Sequence, residues 1–221
     1  DTIMDAALRA GEYIPHLCHN PEFPPHGSCR VCIVDIGGRK VSACTHPASA
    51  GLEVANNTEE ITEQRRTLVQ MLFVEGNHVC PGCEKSGACQ LQAVAYYTDM
   101  LSPHFTHFFP KRALDASHPD AVIDFNRCIL CELCVRASRD VDHKNVFAID
   151  GRGIGSRLVI NSPSGKLGDS NFSADDKAAH VCPVGAILSK HRGYDTPIGE
   201  RLYDRKPISV VGDVAAHEDE V

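Results

Sequence analysis

Eleven cysteines fall into three separate groups along the 221-residue chain, and their spacing restricts what the chain can become more than any other feature. The groups are Cys18, Cys29, Cys32 and Cys44; then Cys80, Cys83 and Cys89; then Cys128, Cys131 and Cys134 with the remote Cys182. The unit C-x2-C occurs four times, as Cys29/Cys32, Cys80/Cys83, Cys128/Cys131 and Cys131/Cys134. Two thiolates at that spacing in a tight loop bind one metal centre while loop amides turn toward the sulfurs and offset their negative charge. The odd count and the lack of a secretory signal at the start argue against a disulfide framework and for a reducing compartment, the cytoplasm. Covalent haem does not fit, because Ile33, Glu84, Glu132 and Val135 follow the four pairs where a histidine would be needed.

The third group is the most specific. Cys128, Cys131 and Cys134 form C-x2-C-x2-C, and Cys182-Pro183 supplies the remote fourth thiolate with its following proline, the pattern of a [4Fe-4S] cubane. In a two-cluster ferredoxin a further cysteine four residues after Cys134 would serve a companion cluster; that position is Ser138, so one cubane is expected here. The first group, C-x10-C-x2-C-x11-C, has a longer first gap than the plant-type spacing and reads best as a [2Fe-2S] centre. The second group has only three thiolates and needs another ligand, for which His78 is the nearest candidate. Structural zinc is the main rival for such sites, since tetrahedral zinc accepts four thiolates or three and an imidazole; a zinc-stabilised interaction scaffold is therefore the alternative from another functional class.

Composition narrows the partners. A net charge of -7 leaves no general basic field for a phosphate backbone, so nucleic acid is not expected. Apolar runs such as Leu68 to Val74 are far shorter than the roughly 20 residues of a membrane span. No P-loop, Ser/His/Asp pattern or nucleotide-binding βαβ unit appears, and Gly151-Arg-Gly-Ile-Gly155 lacks the spacing and following helix of a dinucleotide fingerprint, so it is expected to be a hairpin turn.

The order of a four-Cys module, a three-Cys module with histidine and a C-x2-C-x2-C…C-P module resembles the N-terminal electron-transfer part of the large iron-sulfur subunit of respiratory complex I. The stretch from Glu75 through His78, Cys80, Cys83 and Cys89 to Gln92 most resembles the small iron-sulfur diaphorase subunit of soluble NAD-reducing [NiFe]-hydrogenases. The complex I subunit would continue for several hundred residues, whereas this sequence stops at Val221, which favours the hydrogenase family. The resemblance implies one [2Fe-2S] cluster on Cys18, Cys29, Cys32 and Cys44, a [4Fe-4S] cluster on His78, Cys80, Cys83 and Cys89, and a second on Cys128, Cys131, Cys134 and Cys182. It also implies a flavoprotein partner carrying FMN and binding NAD(H), small and large hydrogenase subunits holding the [NiFe] centre, and the reaction H2 + NAD+ to NADH + H+. An iron-sulfur subunit of an NAD-dependent formate dehydrogenase or a short complex I relative is the alternative within the redox class. Complex I members leave three residues between the ligand histidine and the next cysteine, but only Val79 intervenes here, so His104 and His107 stand as substitutes for His78.

The expected fold class is α+β: a β-grasp [2Fe-2S] ferredoxin domain over 1–56, a small helical His-Cys [4Fe-4S] domain with connector over 57–117, and a bacterial-ferredoxin-like [4Fe-4S] domain with a tail over 118–221. Similar [2Fe-2S] domains open with a β-hairpin, whereas this sequence starts at the helix expected to follow it. That helix is capped by Asp1 or Thr2 and runs through Ala10, with Ile3, Ala7 and Leu8 on one face. Strands are expected at 30–36 and 40–43 about Gly37-Gly38. A capping box Asn57-x-x-Glu60 starts a helix carrying Ile61, Leu68 and Leu72 on one face and ending at Gly76. A second helix follows Cys89 with Leu91, Val94 and Ala95 inward and Tyr96 and Tyr97 as packing residues. The segment 103–119 reads as an irregular connector. Strands at 121–125 and 146–149 flank the cluster helix, the second paired with 158–160. Residues after His191, ending in His-Glu-Asp-Glu-Val, read as a mobile or partner-bound tail.

Overall fold

The computed structural model describes residues 1–212; the end of the tail, including His217 to Val221, lies outside the described residues. Two hydrophobic cores organise the chain. A small one belongs to the first fifty residues and is built from Ile3, Met4, Ile14, Cys32, Val34, Ala43 and Cys44. The larger one runs from Leu17 and Cys18 through the middle helices to Cys182 and Ile208, so one continuous apolar interior connects all three cysteine groups.

Helix α1 (Ile3–Arg9) begins at Thr2, whose hydroxyl accepts from the Asp5 amide while the Asp5 carboxylate accepts from the Thr2 amide, a reciprocal capping box. Ile3 is buried and Ala7 packs half-buried against the same core as expected, but Met4 takes the inward place expected of Leu8, which is 47% exposed. Strands β1 (Ile33–Ile36) and β2 (Arg39–Ser42) form the expected antiparallel hairpin. Strand β1 is shorter than the sequence pattern suggests because the backbone leaves the strand conformation at Arg30 (φ 59°), inside the cysteine loop, while β2 keeps the expected length one residue earlier in the chain.

Helix α2 (Glu59–Glu75) is capped by Thr58, which accepts from the Ile61 amide, and not by Asn57. Glu60 is thereby free to pair with Lys40 on β2 instead of closing a capping box. The helix ends at Gly76 as expected, and Ile61, fully buried, contributes about 1.5–3 kcal/mol of apolar burial. Helix α3 (Gln90–Tyr97) turns Leu91, Val94 and Ala95 inward. Tyr97 packs edge-on against Tyr13 at 5.1 Å, but Tyr96 is 65% exposed and does not pack in the core.

The connector contains a two-residue strand β3 (Leu114–Asp115), unforeseen because so short a strand leaves no hydrophobic period to read. It pairs with β4 (Ala121–Asp124), which pairs on its other edge with β7 (Ile187–Ser189). Helix α4 (Leu133–Asp140) packs on α5 (Lys177–His180) and on the hairpin β5 (Phe147–Asp150) and β6 (Arg157–Ile160). The turn between these strands is the glycine-rich segment: Gly151 has φ +82°, and a Cβ there would meet the Gly155 carbonyl oxygen at 2.2 Å, so the glycine serves the turn. The tail is docked over part of its length. Tyr203 donates its amide to the Gly87 carbonyl, Arg201 donates to the Ser86 carbonyl, and Ile208 of α6 (Ile208–Val211) is buried against α3. No described helix is long and apolar enough to cross a membrane.

Candidate metal centres

All eleven cysteines are free thiols, and they gather in the three groups that their spacing suggests. In the first, Cys18 ends a buried run from Ile14, Cys29 and Cys32 lie in the loop before β1, and Cys44 follows β2. The hairpin register brings Ile33 opposite Ser42, and the Ala43 amide donates to the Cys32 carbonyl, so Cys32 and Cys44 meet with their sulfurs 3.3 Å apart. The Cys29 amide donates to Cys18 Sγ at 3.5 Å. Hydrogen bonds from the Cys29 thiol and from the Cys29 and Ser28 amides pull Cys18 down to about 5, while Cys29 is pushed up by the same thiol contact and by burial. Cys32 is lowered to about 7 by Cys44, which is raised in return. A site that lets only part of its thiols ionise fits a cation that would neutralise them all.

Arg65 of α2 fixes this loop. It is 1% exposed and donates Nε to the Val31 carbonyl at 3.1 Å, Nη2 to the Ile33 carbonyl at 2.6 Å, and Nη1 to the Asn56 carbonyl at 2.9 Å. No pattern in the sequence signals this role, since an arginine in a mixed helix ordinarily faces water.

In the second group, His78, Cys80, Cys83 and Cys89 line one cavity together with Phe73, Leu91 and Arg127. The His78 Nε2 atom is buried and has no hydrogen-bond partner, which is costly unless something else bonds to the ring. Burial, then the positive charge of Arg127, lowers His78 to about 4, so the imidazole is neutral, the form that ligates metal. Burial raises Cys80 and pushes Cys89 up to about 12. His104 and His107 do not line this cavity: the His104 amide donates to Gln70, and the His107 ring stacks on Phe109 at 4.1 Å. Gly185 closes the cavity from the third module, and a Cβ there would lie 2.9 Å from Cys83 Sγ. Arg127 donates Nη1 toward Cys83 Sγ at 3.6 Å and to Glu84 at 2.7 Å, and pairs with Asp124.

In the third group, Cys128 follows a turn at Phe125–Arg127, Cys131 lies in the loop before α4, Cys134 is in its first turn, and Cys182 follows α5. Leu130 and Glu132, between the cysteines, both take left-handed backbone (φ 54° and 59°), which curls the loop and aims its amides inward. Amides of Leu130, Leu133 and Val135 donate to the sulfurs of Cys128, Cys131 and Cys134. Burial still dominates, raising Cys128 to about 11 and Cys131 and Cys134 well above the ordinary thiol range. Ser138, fully buried, accepts from the Val146 amide at 2.8 Å and so serves the backbone where a two-cluster ferredoxin would place another ligand.

Three family descriptions match in chain order. Residues 1–59 match a 2Fe-2S iron-sulfur cluster binding domain, 65–104 the NADH-ubiquinone oxidoreductase-G iron-sulfur binding region, and 122–188 a 4Fe-4S single cluster domain. The gamma subunit of the NAD-reducing hydrogenase HoxS of Cupriavidus necator is 43% identical over 92% of this chain and 86% of its own length. The chain belongs to the HoxS gamma-subunit family. A crystal structure of an NAD+-reducing [NiFe]-hydrogenase in the H2-reduced state contains a chain that matches this family member with a TM-score of 0.93 and 54% identity, over 97% of this chain and 91% of that one. More distant relatives are longer: the mitochondrial 78 kDa subunit of the NADH-ubiquinone oxidoreductase of Candida albicans is 32% identical over 86% of this chain, which spans 26% of it. The alpha subunit of the NADPH-Fe(3+) oxidoreductase of Geobacter sulfurreducens is 32% identical over 86% of this chain, with 22% of its own length spanned. The HoxS gamma family member is thus an α+β chain with 2Fe-2S and 4Fe-4S binding domains, and the zinc-scaffold alternative falls away.

Proposed function

We propose that this chain is the electron-relay subunit of a cytoplasmic NAD-reducing hydrogenase, joining a flavoprotein that carries FMN and binds NAD(H) to the small and large subunits of the [NiFe] module. The reaction served is H2 + NAD+ to NADH + H+, in either direction. Cys18, Cys29, Cys32 and Cys44 would hold a [2Fe-2S] cluster; His78, Cys80, Cys83 and Cys89 a [4Fe-4S] cluster; Cys128, Cys131, Cys134 and Cys182 another. The modules are 1–56, 57–117 and 118–221. The observation that carries the reading is identity of 43% across 86% of a hydrogenase gamma subunit, on a chain whose free thiols fall into three separate sets.

When bound, iron-sulfur clusters accept and release single electrons. The chain's own contribution is placement and tuning. Seven of its eleven thiols are buried and Cys29, Cys80, Cys83 and Cys128 are half-buried, which limits the access of water, and the amides of Cys29, Leu130, Leu133 and Val135 donate to sulfur and offset negative charge. Neutral His78 in place of a thiolate leaves the middle site one negative charge lighter, which favours its reduced form. Arg127 adds a positive charge beside Cys83.

Anaerobic purification through a tag on this chain tests the reading. Co-purifying nickel and flavin, with H2-dependent reduction of NAD+, is the expected outcome. Iron without nickel would reassign the relay to a formate dehydrogenase or a short complex I relative.

A further inference from the structure

Arg136 lies on α4 two residues beyond Cys134 and is 4% exposed. Its guanidinium reaches across the boundary between the first and third modules. Nη2 donates to the Cys18 carbonyl at 2.5 Å and to the Cys131 carbonyl at 3.5 Å; Nη1 donates to the Pro24 carbonyl at 3.0 Å and Nε to the Glu132 carbonyl at 3.4 Å. The Phe23 ring lies 5.6 Å away on one side. Among the described residues its donors go to backbone carbonyls; the Asp140 carboxylate lies near enough to interact electrostatically but takes its hydrogen bonds from Arg139. A buried cation with no carboxylate bonded to it is costly unless other negative charge lies close. Cys18 and Cys131, the residues whose carbonyls it holds, belong to two different thiol sets, and those two thiols lie near enough to interact electrostatically.

We infer that Arg136 is a positioning residue shared by the first and third centres: it ties Cys18 to Cys131 and supplies one positive charge to both thiol sets. This rests on the relay reading. Reduction adds an electron to a centre that is already negative, and a nearby fixed cation stabilises the reduced form more than the oxidised one. The guanidinium therefore raises both potentials together. The middle centre has its own cation in Arg127 and is not touched by Arg136.

The test is a redox titration of the intact complex, followed by electron paramagnetic resonance, for wild type, Arg136→Met and Arg136→Lys. In Arg136→Met the [2Fe-2S] centre and the all-cysteine [4Fe-4S] centre are expected to shift to more negative potential, with the His78 centre unmoved and Arg136→Lys between the two. The sign separates charge from simple loosening, because admitting water would stabilise the more charged reduced state and shift potentials the other way. No shift, a positive shift, or an equal shift at all three centres would overturn the inference. Should Arg136→Met fail to load a centre, Arg136→Lys carries the test: loading with potentials near wild type supports the charge role, and a loss equal to that in Arg136→Met overturns it. Absence of the three centres from wild type would instead overturn the relay reading.

Discussion

Replacing Arg65 with methionine tests whether the first site is held by a single buried side chain. The guanidinium makes hydrogen bonds to the Val31, Ile33 and Asn56 carbonyls and to Asn56 Oδ1 at 2.6–3.1 Å. Two buried carbonyls, of Val31 and Ile33, and the half-buried one of Asn56 would lose this partner at about 1–3 kcal/mol each, while removing a buried cation returns part of that as relieved desolvation, so the net loss is about 3–5 kcal/mol. That is a large fraction of the stability of a typical domain. A loss of this size corresponds to a fall of about 6–20 °C in Tm for a chain of this length. Because the hydrogen bonds reach only residues around the Cys29–Cys32 loop and Asn56, the [2Fe-2S] signal should fall first. The assay is spin quantitation of the reduced protein alongside thermal unfolding. Arg65→Lys, which keeps the charge but cannot span the carbonyls, should lie between. An unchanged Tm, or equal loss of all three centres, would refute this reasoning.

Further perturbations address the other sites. His78→Cys, with the cubane retained, should lower the midpoint potential of the middle centre because a thiolate replaces a neutral imidazole; a midpoint that does not fall contradicts the ligand assignment. Gly185→Ala places a methyl 2.9 Å from Cys83 Sγ and 3.2 Å from Lys85 Cβ, so about 1–3 kcal/mol of overpacking strain and selective loss of the middle centre are expected from iron analysis and spin counting. Reconstitution in weak buffer near neutral pH should acidify the solution. The free thiols of Cys128 and Cys89 titrate at about 11 and about 12, so they are protonated before loading and must release protons to ligate iron. Loading should accordingly weaken as pH falls, by about tenfold per unit for each proton displaced. Loading independent of pH would contradict this.

The features legible in the sequence are those encoded locally. The four C-x2-C pairs set loop geometry within a few residues, and the matching iron-sulfur families span the same groups. The β1–β2 and β5–β6 hairpins are legible from alternating apolar residues about glycine turns, and the end of α2 from Gly76. Differences arise where two local options compete. Asn57 and Thr58 are both good caps, and the engagement of Glu60 by Lys40 across the fold decides between them. Tyr96 and Leu8 sit at apolar-looking positions that remain exposed on this chain. The tail carries no apolar period, yet Arg201 and Asp204 clasp each other and anchor it on the loop at Ser86. Arg65 and Arg136 are invisible for a different reason. Their partners are carbonyls, which every residue has, and Arg136 meets Cys18 across 118 positions of sequence.

Whether the three donor sets hold three iron-sulfur clusters is settled most directly by iron and acid-labile sulfide analysis of anaerobically purified protein, with spin counting after stepwise reduction. About ten iron atoms on this chain and three separate paramagnetic centres, one [2Fe-2S] and two [4Fe-4S], are expected. Fewer than three centres at full iron loading, or zinc in place of iron, would contradict the assignment.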